Sequence, residues 1–185
     1  MSLVYLMPLG KVEPAVLEAA TNALGETFLL EVRVGDGLAD IQYAYDAVRK
    51  QYHVSKLLGD LLRHPPPDAF RIQGIAEVDL FLPIFTFLFG EAQLNGVGSI
   101  LSTFRLRSEF YGLPKNPARL AERVAKEAIH EMGHTFGLLH CVDPVCVMRS
   151  STYVEDVDFK SAEFCLPCRT RLNEKLPRKK RIFPW

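Results

Sequence analysis

The sequence predicts an α/β domain, and three observations predict it. Residues 4–34 read as strand, helix and strand; short apolar segments separated by turn signals run from Phe70 to Leu106; and a long amphipathic helix starts at Asn116-Pro117. The first strand is Val4 to Met7. Glu13 to Leu24 follows as a helix because Val16, Leu17, Ala20 and Leu24 recur at helical spacing, and Thr27 to Val34 reads as the second strand. A second helical stretch is expected from about Ala44 to Arg63, with an interruption near Tyr52 and His53, and it stops at His64-Pro65-Pro66-Pro67. Phe70 to Ile75 and Val78 to Leu82 are strand candidates. Ile84 to Phe89 and Val97 to Leu106 are expected to pair antiparallel across the Asn95-Gly96 turn.

Asn116 can cap free backbone N–H groups, and Pro117 at the first helical position loses no hydrogen bond, so a helix is expected to run to about Phe136. Leu120, Val124, Ala128 and Thr135 form its buried stripe, with Arg123, Glu127, His130 and His134 on a neighbouring one. Gly137 is the stop. An irregular segment follows until Ala162 to Leu176, which reads as a short C-terminal helix, and Arg178 to Arg181 is a basic run.

With 185 residues and 48% hydrophobic composition the chain is expected to form one domain spanning residues 1–185 rather than a disordered or fibrous protein. Lys and Arg number 22 against 22 Asp and Glu, which removes the electrostatic footprint of a protein that coats nucleic acid or an anionic membrane. The longest apolar run, Leu80 to Phe89, is interrupted by Pro83 and is about half of the ~20 residues a membrane helix needs. The first residues carry no basic start and no cleavage signal, so a soluble, cytoplasmic protein is expected.

The chemistry concentrates in His130-Glu131-Met132-Gly133-His134-Thr135-Phe136-Gly137-Leu138-Leu139-His140, which fills every fixed position of HExxHxxGxxH. His130 and His134, four residues apart on a helix, project from one face and can grip one metal ion. Gly137 can turn the chain in a left-handed conformation, which lets His140 return as a third ligand and leaves a fourth position for water. Three neutral imidazoles leave a zinc ion its positive charge, so the pKa of that water falls steeply, to about 7. Glu131 is rotated by about 100° from His130 and is placed to act as general base and then to return the proton to a leaving amine. Three imidazoles also suit cobalt, nickel or iron. His53 and His64 have no partner at metal spacing and read as ordinary surface or core residues.

All four cysteines follow directly: Cys141, Cys146, Cys165 and Cys168. Two from a loop and two from a helix start suit a closed four-thiolate zinc site, which is structural because no position is left for water; disulfides are the alternative. Two zinc ions per chain, one catalytic and one structural, are therefore expected. Because His140 and Cys141 are adjacent, the loss of the second metal is expected to disorder the third ligand of the first. Met148 stands where a turn can pass beneath the histidines, and Tyr153 is within reach of a role as oxyanion donor or as a group closing the fourth zinc position.

Through His130, Glu131, His134, Gly137, His140 and Met148 the chain resembles the metzincin clan of zinc peptidases. The cysteines narrow the resemblance to the archaemetzincins, which Phe87 to Leu94 and Arg49-Lys50-Gln51-Tyr52 also resemble, so that it extends from about Tyr43 to Cys168. The resemblance implies a compact α/β metalloprotease with a mixed twisted β-sheet, an active-site helix, a Met-turn at Met148 and a C-terminal helix tied by the four-cysteine zinc site. It also implies that Glu131 is the catalytic base. The antiparallel edge strand that lies above the cleft and pairs with substrate is mapped onto Val97 to Leu106. The expected partner is a small or unfolded peptide, with neither membrane nor nucleic acid. Two other functions remain open from the sequence: a zinc endoribonuclease, supported only by Arg178 to Arg181, and a peptide-binding module with little hydrolytic activity.

Overall fold

The computed structural model describes residues 2–177. Strand β1 (Leu3–Leu9), helix α1 (Pro14–Phe28) and strand β2 (Glu31–Val34) form the βαβ opening, with β1 and β2 parallel and in register Leu3 to Glu31. The helix runs past the expected boundary because Phe28, 1% exposed, stacks on Phe136 with ring centroids 5.4 Å apart and meets Phe164 edge-on at 6.0 Å. Burying that ring is worth about 1.5–3 kcal/mol, enough to override the strand preference of a short apolar segment.

The stretch expected to be helical from Ala44 is a tight hairpin: β3 (Tyr45–Asp46) and β4 (Gln51–His53), antiparallel, with helix α2 (Val54–Leu61) only after it. Asp46 is the reason. Its side chain accepts from the backbone N–H groups of Val48 and Arg49, both at 2.9 Å, and Lys50 takes a left-handed φ of 56°, which a helix cannot pass through.

Strand β5 (Ala69–Ala76) joins β1 in parallel. The next strand, β6 (Leu80–Phe81), leaves the main sheet and pairs with β4 instead. The expected pairing of Ile84 to Phe89 with Val97 to Leu106 is corrected in both halves. The strand before the Asn-Gly turn is β7 (Gly90–Ala92), and its partner β8 (Gly98–Ser102) ends before a 3-10 turn at Phe104–Leu106. The main sheet is therefore mixed, in order β2-β1-β5-β8-β7, and the smaller one is β3-β4-β6. Since β8 is bonded on both sides, the antiparallel edge of the main sheet is β7, not Val97 to Leu106.

Side chains alternate across the strands. Val4, Leu6, Ile75 and Leu101 pack with α1 and with helix α3 (Pro117–Thr135), whereas Leu9, Ile72, Ala76 and Ile100 pack with α2. Leu120, Val124, Ala128 and Thr135 are all buried on α3. Beyond it lie α4 (Val154–Phe159), which the irregular sequence did not announce, and α5 (Leu166–Lys175). Arg178 to Arg181 falls outside the described residues. No helix among the described residues is long and apolar enough to cross a membrane.

Candidate active site

Helix α3 begins as its sequence requires: Asn116 accepts from the backbone N–H of Arg119 at 3.0 Å, with Pro117 in the first turn. At the other end the Leu138 N–H donates to the Gly133 carbonyl at 3.2 Å, and Gly137 takes φ 84°, closing the helix with a left-handed residue. A Cβ at Gly137 would also stand 3.3 Å from Asn95 Oδ1 of the β7–β8 turn. That turn docks on the helix end, where the Asn95 N–H donates to the His134 carbonyl at 2.9 Å. The reversal at Gly137 brings His140 back to the helix, with its ring centroid 5.3 Å from His130 and 4.9 Å from His134.

The three imidazoles offer ligand atoms that all lie within 4.8 Å of one another. His130 Nδ1 donates to the Val147 carbonyl at 2.8 Å and His134 Nδ1 to the Leu138 carbonyl at 2.7 Å. A carbonyl can only accept, so both Nδ1 atoms carry the proton and both Nε2 atoms present lone pairs. Those two Nε2 atoms face each other at 3.1 Å with no proton between them. Two facing lone pairs repel unless a cation lies between them, and Zn–N bonds of about 2.0–2.1 Å at tetrahedral angles put ligand nitrogens at about this spacing. The donor set thus fits a zinc ion. Burial lowers the pKa of all three histidines, and Lys160 lowers each further, which keeps the imidazoles in the neutral form that binds metal.

Glu131 is 5% exposed and packs against the edge strand: a Cβ built on Gly90 would stand 2.5 Å from Glu131 Oε1 and 2.6 Å from its Cδ. Only a residue without a side chain lets β7 come this close. Burial pushes the Glu131 carboxyl well above the usual carboxylate range, and the neighbouring Glu127 pushes it further. Glu127 itself is buried and paired with Lys160, Oε1 to Nζ at 2.7 Å, in side chains 3% and 1% exposed. Sequence reasoning placed Glu127 on the histidine stripe without assigning it a charge partner. Lys160 it missed altogether, because nothing in the irregular segment after Met148 signals that this lysine turns inward.

Met148 is fully buried under the helix, and a Cβ on Gly133 would stand 2.6 Å from its Sδ. The turn that carries it is anchored by Cys141 N–H to Met148 O at 2.9 Å and by Val147 N–H to Glu163 O at 2.9 Å. The four cysteine sulfurs also lie within 4.8 Å of one another, with Cys141 and Cys165 at 3.7 Å, far beyond a disulfide bond of about 2.05 Å and close to the edge of a ZnS4 tetrahedron. Burial raises the pKa of the Cys146 thiol, and the Cys165 N–H that its Sγ accepts at 3.3 Å works against that rise. Tyr153 sits at the start of α4 with 65% exposure, and it is Ser150, Ser151 and Thr152 that line the cleft.

The cleft measures about 310 Å³ and holds His130, Glu131, His140 and Glu127 on its helix side, with Phe85 to Gly90 also lining it. A buried carboxyl beside three neutral, converging imidazoles is equipped for metal-assisted hydrolysis.

The model of Peptidase family M54 matches residues 15–174. An archaemetzincin of Methanocaldococcus jannaschii is 36% identical over 179 residues, 93% of each chain. The crystal structure of the Methanopyrus kandleri archaemetzincin superposes with a TM-score of 0.83 at 35% identity, covering 96% of each chain. A zinc-dependent peptidase from Methanocorpusculum labreanum superposes at 0.82 with 29% identity, covering 92% of this chain and 100% of that one. Neither the endoribonuclease nor the binding-module reading is favoured by these relationships. The chain belongs to Peptidase family M54 and is a zinc metallopeptidase.

Proposed function

We propose that the cleft hydrolyses the bonds of small or unfolded peptides, with His130, His134 and His140 holding the catalytic zinc and Glu131 acting as general base. The observation that carries this reading is the pair of Nε2 lone pairs held face to face, with the Glu131 carboxyl on the same helix against Gly90. When bound, zinc supplies the Lewis acidity that polarises a carbonyl and acidifies water. Glu131 takes the proton from the attacking water at its carboxylate and passes it to the departing amine, a double duty suited to a carboxyl whose proton affinity burial has raised. Lys160 pairs with Glu127 and offsets part of the upward push that Glu127, one helical turn away, exerts on the Glu131 carboxyl. The edge of β7 that no strand pairs among the described residues is available to an extended substrate.

A second zinc on Cys141, Cys146, Cys165 and Cys168 completes the proposal, giving two ions per chain, and Met148 is its Met-turn residue. A thiolate site in place of disulfides suits a reducing compartment, in keeping with a cytoplasmic enzyme. Glu131→Gln tests the mechanism: the variant should bind zinc as the parent does and lose hydrolysis by about 10²–10⁴-fold on a peptide library. Unchanged turnover would overturn the role of Glu131.

A further inference from the structure

One wall of the cleft is held in an unusual way. Residues 82–89, between β6 and β7, form a strap of which Phe85 to Phe89 line the same cleft as His130, Glu131 and His140. The strap is apolar yet poorly packed at its tip, where Ile84 is 82% and Phe85 54% exposed. Among the described residues its backbone turns on itself through Phe85 N–H to Leu82 O at 2.9 Å and is tied to its neighbours near the end at β7, by Leu88 N–H to Leu80 O at 3.2 Å and Ser102 N–H to Phe89 O at 2.7 Å.

The carbonyls in its middle are taken by side chains of the β3–β4 hairpin. Arg49 Nη2 donates to Phe85 O at 2.7 Å and to Thr86 O at 3.4 Å, and Gln51 Nε2 donates to Thr86 O at 2.9 Å. Gln51 is only 6% exposed, and its amide is fully engaged: Nε2 also donates to Asp79 Oδ2 at 2.9 Å, and Oε1 accepts from Arg49 Nε at 3.2 Å. Asp79 is gripped by Arg105 Nε and Nη2, each at 2.7 Å, and the Arg105 guanidinium lies 4.1 Å over the ring of Phe87, the next strap residue. Arg49 stacks at 4.5 Å on Phe81, and its own backbone N–H is held by Asp46. Phe89 lies in the core, but the tip of the strap has little packing of its own, and such a stretch opens easily unless charge-assisted bonds hold it. Here they reach it from a hairpin that lies outside the cleft.

We propose that Arg49 and Gln51 are positioning residues of the peptidase: they clamp the strap 82–89 as a fixed wall of the substrate cleft, so that peptide affinity depends on the β3–β4 hairpin. The proposal rests on the peptidase reading for its substrate, and its test separates the two. Arg49→Ala, Arg49→Lys and Gln51→Glu would be compared with the parent, zinc-loaded, by peptide hydrolysis and by hydrogen exchange of the strap. The same changes would be placed on Glu131→Gln, and the anisotropy of the tightest-binding fluorescent hexapeptide of a random library would be read.

Arg49→Ala and Gln51→Glu should raise KM and peptide Kd about tenfold with a smaller change in kcat, and speed exchange at the strap amides while α3 stays protected. Arg49→Lys, which keeps a donor, should recover part of the affinity. Unchanged Kd and strap exchange would overturn the clamp, as would a loss of zinc and of α3 protection in step with activity, which marks a merely structural role. If the parent hydrolyses no library peptide, the peptidase reading fails by itself. The Kd of Glu131→Gln with and without Arg49→Ala then decides the clamp, and equal values or no measurable peptide binding by either overturn it.

Discussion

His130 Nδ1 lies 2.8 Å from the main-chain carbonyl oxygen of Val147, and that bond joins the histidine cluster to the sulfur cluster a second time, beside the peptide bond between His140 and Cys141. Val147 stands between Cys146 and Met148, its N–H is tied to Glu163, and the following carbonyl, that of Met148, accepts from Cys141. Whatever holds the cysteines together thus fixes the acceptor that selects the tautomer of His130. Second-layer hydrogen bonds of this kind orient metal ligands and raise their basicity.

Replacing Cys168 tests that coupling. Cys168 is buried on α5, remote in sequence from the histidines. On the proposed two-zinc arrangement, Cys168→Ala should lower bound zinc from two ions per chain to one, measured by elemental analysis. It should also weaken zinc retention at the intact histidine site by about 10–100-fold, read by competition with a chromophoric chelator. Full retention at the histidine site would show that the two centres are independent.

Gly90→Ala should damage chemistry without damaging the metal site. The new Cβ would stand 2.5 Å from Glu131 Oε1, so either the carboxylate or β7 must move. A shift of about 1 Å in a catalytic group can cost about 10²-fold in rate, while zinc stoichiometry should stay at the parent value. Steady-state kinetics beside metal analysis checks both halves.

The packing beneath the helix predicts a compensating pair. Gly133→Ala drives a methyl to 2.6 Å from Met148 Sδ in a fully buried position and should destabilise by about 1–3 kcal/mol. Combining it with Met148→Ala should cost less than the sum of the two single changes, because the truncated side chain vacates the space that the methyl needs. Urea unfolding of the four proteins measures the coupling.

Acid stability should depend on Asp158. Its carboxylate receives Arg123 Nε at 2.7 Å and Nη2 at 2.6 Å, and this guanidinium holds the Asp158 carboxyl below its ordinary pKa of 3.8. A carboxyl whose folded pKa is depressed stabilises the fold above its unfolded pKa, and that contribution fades as the pH falls through the folded value. Asp158→Asn should therefore cost about 1–2 kcal/mol near pH 7, where it leaves the buried Arg123 without its charge partner, a figure discounted because Asp158 is partly solvated. The difference from the parent should shrink below pH about 4, which chemical denaturation across pH would reveal.

Much of this site is legible in the chain because it is local. His130 and His134 are ligand-spaced on a helix whose start at Asn116-Pro117 and stop at Gly137 are written in the sequence, and His140 needs only the turn that Gly137 permits. The hairpin at Tyr45 to His53 was misread as helix because one side chain, Asp46, captures two backbone N–H groups, a bond invisible to hydrophobic periodicity. The edge strand was misplaced for a different reason. Val97 to Leu106 is the more apolar segment, and it is apolar because β8 is covered on both sides, whereas the true edge, Gly90–Ala92, is short and half-buried.

The sequence by itself determined the reaction type and the identity of the converging donors, since ligand spacing along one helix and its exit turn is a matter of 3.6 residues per turn and one residue free to adopt positive φ. Only the tertiary structure decided which strand borders the cleft, that Gly90 seats Glu131, that Lys160 turns inward to Glu127, and that Arg49 and Gln51 hold the opposite wall. Each of these joins residues far apart in the chain. Such contacts form where several packed elements leave room for them, and no short-range pattern encodes the packing.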